Sequence, residues 1–384
     1  MLKNLNLIPI FFAGICVLLL SSQALLAAPL VPNPPKVKAE GFILMDFNSD
    51  QVLVDKNADV RMEPASLTKI MSSYIISQQL KNGSISLTDN VTVSEKAWKM
   101  KGSRMFIEVG KKISVEDLLK GIIVQSGNDA TIALAEFIAG SEESFVSLMN
   151  QTAEALGLSD THFANATGLP HEQHYSTPRD LALLGKSLIR DFPEHYEWYS
   201  IKEYKFNNIK QKNRNTLLWK NDDVDGIKTG HTESAGYCLV ASAKRKDMRL
   251  ISVVLGTGSQ DARSTESNKL LNYGFRFFET HRLYAANEAL TNVRIWKGEN
   301  EELPLGINED LYITIPKGQY KNLDASMSIN AEIIAPVVKG KVYGTVNIML
   351  GKKNYAVRKL VALEDIEEGS LWKNLVDSFK LAIN

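Results

Sequence analysis

The stretch from Pro64 to Gly83 constrains the fold more than any other part of this chain. Pro64 suits the first turn of a helix, where its fixed φ is already helical and its missing N–H would have had no acceptor. Behind it, Ile70, Met71, Tyr74, Ile75, Ile76 and Leu80 leave no polar face wide enough to meet water. The pattern predicts a central, buried helix that stops at Asn82-Gly83, where glycine accepts the left-handed cap. Such a helix must be covered. Phe42 to Asp46 and Gln51 to Val54, around the turn residues Asn48-Ser49-Asp50, read as an antiparallel hairpin ahead of it.

From about residue 114 to 190 the period is helical, with Ser114 as an N-cap and a second helix opened by Ser141 and ended at Gly157. Strands return at Tyr237 to Ala243 and Leu250 to Leu255, joined through Lys244-Arg245-Lys246-Asp247, and a helix is expected near 261 to 279. Strands at both ends of a helical middle imply an antiparallel sheet covered by helices. After about residue 283, short alternating segments (Val293 to Trp296, Leu311 to Ile315, Val342 to Met349, Tyr355 to Val361) predict a separate small β domain. Residues 368 to 384 return to a helix period, with Leu371, Trp372, Leu375, Val376, Phe379, Ala382 and Ile383 on one face and Lys373, Asp377 and Lys380 opposite.

The first 28 residues read as a secretory signal, with Lys3, an apolar run from Leu7 to Leu20 and a cut expected near Ala27; an uncleaved anchor is the alternative. Cys16 departs with it. Cys238 then stands alone, so no internal disulfide is expected in an exported body. Residues 29 to 37 form a proline-rich leader that runs extended. Forty-four basic residues balance 44 acidic ones, which argues against a nucleic-acid partner.

An ordered set carries the chemistry: Ser66-Leu67-Thr68-Lys69, then Ser126-Gly127-Asn128, then Lys228-Thr229-Gly230. Isolated matches arise by chance, since Ser370 to Lys373 and Ser328 to Asn330 repeat two of the patterns. Ser66 and Lys69 differ, because three residues apart at the start of a buried helix they share a face. A serine needs a base, and an ammonium becomes one only when burial or a second cation lowers its pKa; Lys228 is the candidate cation. The helix start offers backbone N–H groups to a developing oxyanion. Gly230 is expected to let a substrate backbone approach a strand that donates from His231. His162, His171, His174, His195 and His281 lack partners at zinc spacing, and no metal or organic cofactor is called for.

With these motifs in place, the chain resembles the low-molecular-weight penicillin-binding proteins, specifically the serine-type D-alanyl-D-alanine carboxypeptidases. Ser-x-x-Lys and Lys-Thr-Gly are recognised signatures of penicillin-binding proteins and class A β-lactamases. The likeness extends through Glu63 to Met71, Gln125 to Ala130, Asp225 to Thr232 and Gly274 to Thr280. It implies an α+β fold: a β-lactamase/transpeptidase-like catalytic domain at 38–282, a β-rich domain at 283–366, and an amphipathic helix at 367–384 that holds the enzyme on the outer face of the cytoplasmic membrane. It also implies roles. Ser66 resembles the acylated serine, Lys69 its base, and Ser126 with Asn128 the proton-relay and substrate-amide pair. Lys228 maintains the charge pattern, and Gly127 and Gly230 fall among the substrate-binding positions. Thr229, His231, Arg214 and Arg263 resemble the carboxylate-binding positions, and Asp180 an acidic position beside the site that assists deacylation. The implied partners are peptidoglycan pentapeptide stems, β-lactam antibiotics and the membrane surface. A β-lactamase, a DD-endopeptidase and a non-catalytic wall-binding scaffold are the alternatives. For the terminal helix they are packing on its own domain and a homodimer contact.

Overall fold

The computed structural model describes residues 31–330 and 332–383. The signal segment, Cys16 within it, and the first two leader residues lie outside that range. The hairpin is present as β1 (Gly41–Asp46) and β2 (Val52–Lys56). The buried helix, α1 (Lys69–Lys81), follows a 3-10 turn at Ala65–Thr68. Asn82 caps it, and Gly83 takes φ +76° as expected. The helical middle holds α2 (Val115–Lys120), α3 (Asn128–Ala139), α4 (Glu142–Ala155) and α5 (Pro178–Asp191). Ser114, Ser141 and Thr177 each accept a backbone N–H at a helix start.

Three long strands complete the sheet: β3 (Val224–Thr232), β4 (Gly236–Arg245) and β5 (Met248–Thr257). The order is β2-β1-β5-β4-β3, antiparallel throughout. Pairing β1 with β5 closes the two ends of the domain on each other and leaves β3 at one edge. Helix α6 (Gln260–Phe277) covers one face through Leu270, Leu271 and Phe275. The other face carries α1 to α5 over Ile43, Ile227, Val240 and Val253. The leader lies on the α6 side, where the Tyr273 hydroxyl donates to Pro32 O at 2.9 Å.

The β-rich part follows the last helix of the catalytic domain. The α6 helix ends at Phe277, and the next residues form β6 (Phe278–Tyr284). It is followed by β7 (Ala289–Arg294), β8 (Glu302–Gly306), β9 (Leu311–Pro316), β10 (Leu323–Ile329), β11 (Val342–Leu350) and β12 (Lys353–Ala362). Strands β6 and β9 pair alone, and the others form a sheet in the order β7-β8-β12-β11-β10. Ile313 and Ile315 of the first meet Val346, Ile348 and Leu360 of the second in one core.

The terminal helix, α7 (Leu371–Ile383), docks by its polar side. Asp377 is 4% exposed and accepts from Lys297 N at 2.8 Å, while the Lys373 ammonium donates to Glu299 O. Leu371, Trp372, Leu375, Phe379 and Ile383 consequently point to solvent, Leu371 being 87% exposed.

A buried carboxylate ties the two domains. Asp46 accepts from Asn48 N, Ser49 N and the Ser49 hydroxyl on one oxygen, and from the Thr280 hydroxyl of β6 at 2.6 Å on the other. Thr314 of β9 bonds both Ser49 and Thr280. Removing the acceptor strands several half-buried donors. Asp46→Ala should therefore cost about 3 kcal/mol in urea unfolding; a loss under ~1 kcal/mol would show that the junction is held by other contacts.

Candidate active site

Strand β3 runs beside the 3-10 turn that carries Ser66, and the close approach is made possible by Gly230. A Cβ there would sit 2.9 Å from Pro64 O and 3.3 Å from Ala65 Cβ. Gly230 thus admits the nucleophile's own turn as well as lining the cleft. Ala65 adopts φ +48°, a left-handed conformation costing an alanine about 1 kcal/mol, immediately before Ser66.

Lys69 is wholly buried at the start of α1, and its Nζ donates to Ser66 Oγ at 3.1 Å and to Thr167 O at 2.6 Å. Its pKa falls from 10.5 to about 7, first through burial and then through the Arg214 guanidinium, with Asp129 pulling the other way. The Arg214 guanidinium is thus one cation that depresses Lys69, and the charges of Lys69 and Lys228 oppose each other. Lys228 is itself buried, and its pKa lies well below the usual lysine range through burial and then the charges of Lys69, Arg214 and Arg263. Two adjacent buried amines cannot both hold a proton cheaply, whereas a guanidinium keeps its charge. The Lys228 ammonium donates to Thr229 O at 3.0 Å.

The middle motif sits where a π-helical turn, Gly121–Gln125, runs into α3. Ser126 breaks the helix with φ +64°, and its buried hydroxyl has no hydrogen-bond partner among the described residues. Asn128 donates from Nδ2 to Lys101 O at 2.6 Å, which leaves Oδ1 buried and unpaired. Gly127 provides the N-cap of α3. Asp129, next in sequence, is almost completely buried and receives Met105 N, Phe106 N and Ile107 N on its carboxylate, which fixes the rim beside Gly102 and Ser103.

A cleft of about 340 Å³ joins these groups. Ser66, Ser126, Asn128, Arg214, Thr229, Gly230, His231 and Arg263 line it, with Gly102, Ser103, Thr167, Gly168, Leu169 and Thr232. Lys69 and Lys228 lie buried behind this lining. Arg214 donates to Gln125 O, and Arg263 to Gly230 O and Arg214 O, so both guanidiniums bond only backbone carbonyls among the described residues. His231 is exposed, its ring 4.0 Å from that of Tyr237.

The chain matches the D-alanyl-D-alanine carboxypeptidase family, peptidase S11, over residues 29–259. It belongs to that family. Residues 278–368 match the C-terminal domain of penicillin-binding protein 5. Two curated relatives from Escherichia coli (strain K12) are similar nearly end to end. The D-alanyl-D-alanine carboxypeptidase DacC is 48% identical over 95% of this chain and 93% of its own length. The corresponding figures for DacA are 47%, 92% and 89%. Among solved structures, penicillin binding protein 5 from Haemophilus influenzae superposes with a TM-score of 0.86 at 44% identity, covering 88% of this chain and all (100%) of that one.

Of the residues singled out from sequence, Asp180 stands apart from the cleft. Its carboxylate, largely buried in the first turn of α5, accepts from Asp160 N and the Thr161 hydroxyl, and burial raises its pKa. No Asp or Glu is among the cleft-lining residues. The sequence motifs do not include Thr167, Asp129 or the Asn165 turn. Asn165 Oδ1 accepts from the backbone N–H groups of Thr167, Gly168 and Leu169, winding the loop that presents Thr167 O to Lys69. Asp129 had a signal in standing directly after the motif; a backbone carbonyl has none.

Gly168 fits this loop against the nucleophile turn at φ +83°, where a Cβ would lie 1.8 Å from Ala65 O. Gly168→Ala should cost about 3 kcal/mol, from left-handed strain and overpacking together. Urea unfolding with less than ~1 kcal/mol of loss would contradict the contact.

Proposed function

We propose that this protein removes the terminal D-alanine from peptidoglycan pentapeptide stems through an acyl-enzyme on Ser66, and that β-lactams acylate the same serine. The observation that carries this reading is the contact of a wholly buried Lys69 amine with Ser66 Oγ at 3.1 Å. At a pKa of about 7 roughly half of these amines are neutral at pH 7, against about one in three thousand for a lysine at 10.5. The neutral amine takes the Ser66 proton as Oγ bonds to the carbonyl carbon between the two D-alanines. Backbone N–H groups of Ser66 and His231 receive the oxyanion; as the second residue of its turn, Ser66 has no intrahelical acceptor for its N–H. Collapse breaks the C–N bond, and Ser126, whose hydroxyl is otherwise unpartnered, passes a proton to the departing amine. Asn128 Oδ1 takes a substrate amide N–H. Arg214, Arg263, Thr229 and His231 receive the terminal carboxylate, a role that suits guanidiniums bonded only to carbonyls. Water then attacks the ester by the reverse sequence.

The lining of the cleft favours this reaction over that of a β-lactamase. A class A β-lactamase activates its deacylating water with a glutamate, and no carboxylate lines the cleft. Asp180 is engaged elsewhere, so the deacylation role expected of it has no support in its position.

We assign the protein to the periplasmic face of the inner membrane after export. No helix among the described residues is long and apolar enough to cross a membrane. Helix α7 instead presents Leu371, Trp372, Leu375, Phe379 and Ile383 outward, anchored beneath by Asp377, which suits a helix lying in the interface.

Mass mapping after penicillin treatment should place the adduct on Ser66, persisting far longer than its formation takes, and D-alanine should be released from a pentapeptide. An adduct elsewhere, or prompt loss of the antibiotic with no D-alanine release, would refute the assignment. Because protonated Lys69 cannot act, the acylation rate should fall about tenfold per pH unit below about 7 and level off above it. Arg214→Gln, which removes a cation that depresses Lys69, should move that limb to higher pH. A chain ending at Glu368 should remain in solution after vesicle sedimentation, while the full-length protein pellets; co-sedimentation of both would place the membrane contact elsewhere.

A further inference from the structure

His174 belongs to a loop segment, His171 to His174, that offered only a poor match to a metal site. In the structure it is 3% exposed and stands between the two parts of the site that must stay in register. Its Nδ1 accepts the Ala164 N–H at 3.1 Å. An amide only donates, so the ring proton belongs on Nε2, which lies 2.7 Å from Thr68 Oγ1. Nε2–H therefore donates to Thr68, and the Thr68 hydroxyl donates onward to Ala65 O at 2.8 Å. The direction of every bond in this chain is forced. At its far end is the carbonyl of the one residue in the nucleophile turn with positive φ, next to Ser66.

The same imidazole controls the loop. Ala164 is three residues from Thr167, whose carbonyl receives the Lys69 Nζ at 2.6 Å. A neutral amine has two N–H bonds and one lone pair; when one N–H is committed to Thr167 O, the directions open to the lone pair are restricted. We propose that His174 is a positioning residue for acylation, which holds the Thr167 carbonyl and the strained Ala65–Ser66 turn in register so that the Lys69 lone pair faces Ser66 Oγ. Burial, with His162, His171 and Lys69 nearby, holds its pKa down at about 4, so the neutral tautomer that the two bonds need is the working form. Edge-on packing against Phe163 at 5.7 Å between ring centroids sets the ring plane.

This inference rests on Lys69 being the base, and the experiment separates the two. The acylation rate constant and the reversible dissociation constant for a fluorescent penicillin are measured, with melting temperatures, for the full-length protein and for His174→Ala, His174→Gln, Thr68→Val and Lys69→Met. His174→Ala and Thr68→Val should each slow acylation tenfold or more while the dissociation constant stays within about twofold. The double variant should be no slower than the worse single one. His174→Gln, which retains an N–H donor for Thr68, should recover to within about threefold of the parent. A folded His174→Ala that acylates at the parent rate overturns the proposal, as does an effect confined to the dissociation constant or a folded His174→Gln no better than alanine. If neither His174 variant folds, Thr68→Val decides by the same criteria. Unimpaired acylation by Lys69→Met would instead overturn the base assignment; loss in Lys69→Met beside an unaffected His174→Ala would sink this inference alone.

Discussion

The rest of this structure depends on keeping one amine out of water. Lys69 loses its proton readily because it is wholly buried, and it is buried because α1, covered from Lys69 through Ser77, passes through the middle of the catalytic domain. The same Ser-x-x-Lys spacing at the exposed start of α7, Ser370 to Lys373, brings the residue types together without the desolvation that makes lysine a base. Burial alone would leave an amine short of hydrogen-bond acceptors. Thr167 O supplies one, and the Asn165 turn, Gly168 and the Ser72 bond to Ala166 O hold that loop against α1.

What could be read from the sequence follows from the range of the interactions. The hairpin, α1 with its Gly83 stop, the Ser114 and Ser141 caps and the β4–β5 pair rest on local periodicity and capping, and all are present. The strands that escaped notice are those where local pattern fails. In β10 the run Leu323–Ile329 is exposed at all but its ends, so no alternation betrays it, and β8 contains Pro304. In β6 the sequence Phe278–Tyr284 continues an aromatic helix and becomes a strand because β9 pairs with it.

The site shows the same division. Residue types and order identified Ser66, Lys69, Ser126, Asn128 and Lys228, and the fold brings each to or just behind one cleft. Long-range packing decided the rest. Asp180 was expected beside the cleft on its place in a segment, but its carboxylate is taken by Asp160 and Thr161. Gly230 lines the cleft, and the space its missing side chain leaves lies against Pro64 and Ala65. A sequence shows that a glycine is needed more readily than it shows which neighbour requires it.

The distribution of charge also bears on how the two halves of the proposed reaction differ. A chain with no net charge places Lys69, Lys228, Arg214 and Arg263 around one cleft lined by no carboxylate. Binding a substrate adds a carboxylate to that cluster, which relieves the guanidiniums and raises the pKa of the amines. The base must therefore be poised low before substrate arrives. When D-alanine leaves, its carboxylate leaves with it, and Lys69 returns to its depressed pKa at the moment water has to be activated. A β-lactam opens its ring and keeps its carboxylate on the acyl-enzyme. Its anion stays among the cations, the amine stays more fully protonated, and water loses its base. On this reading the fate of a penicillin in the site depends on whether the negative charge can depart, as well as on the shape of the drug.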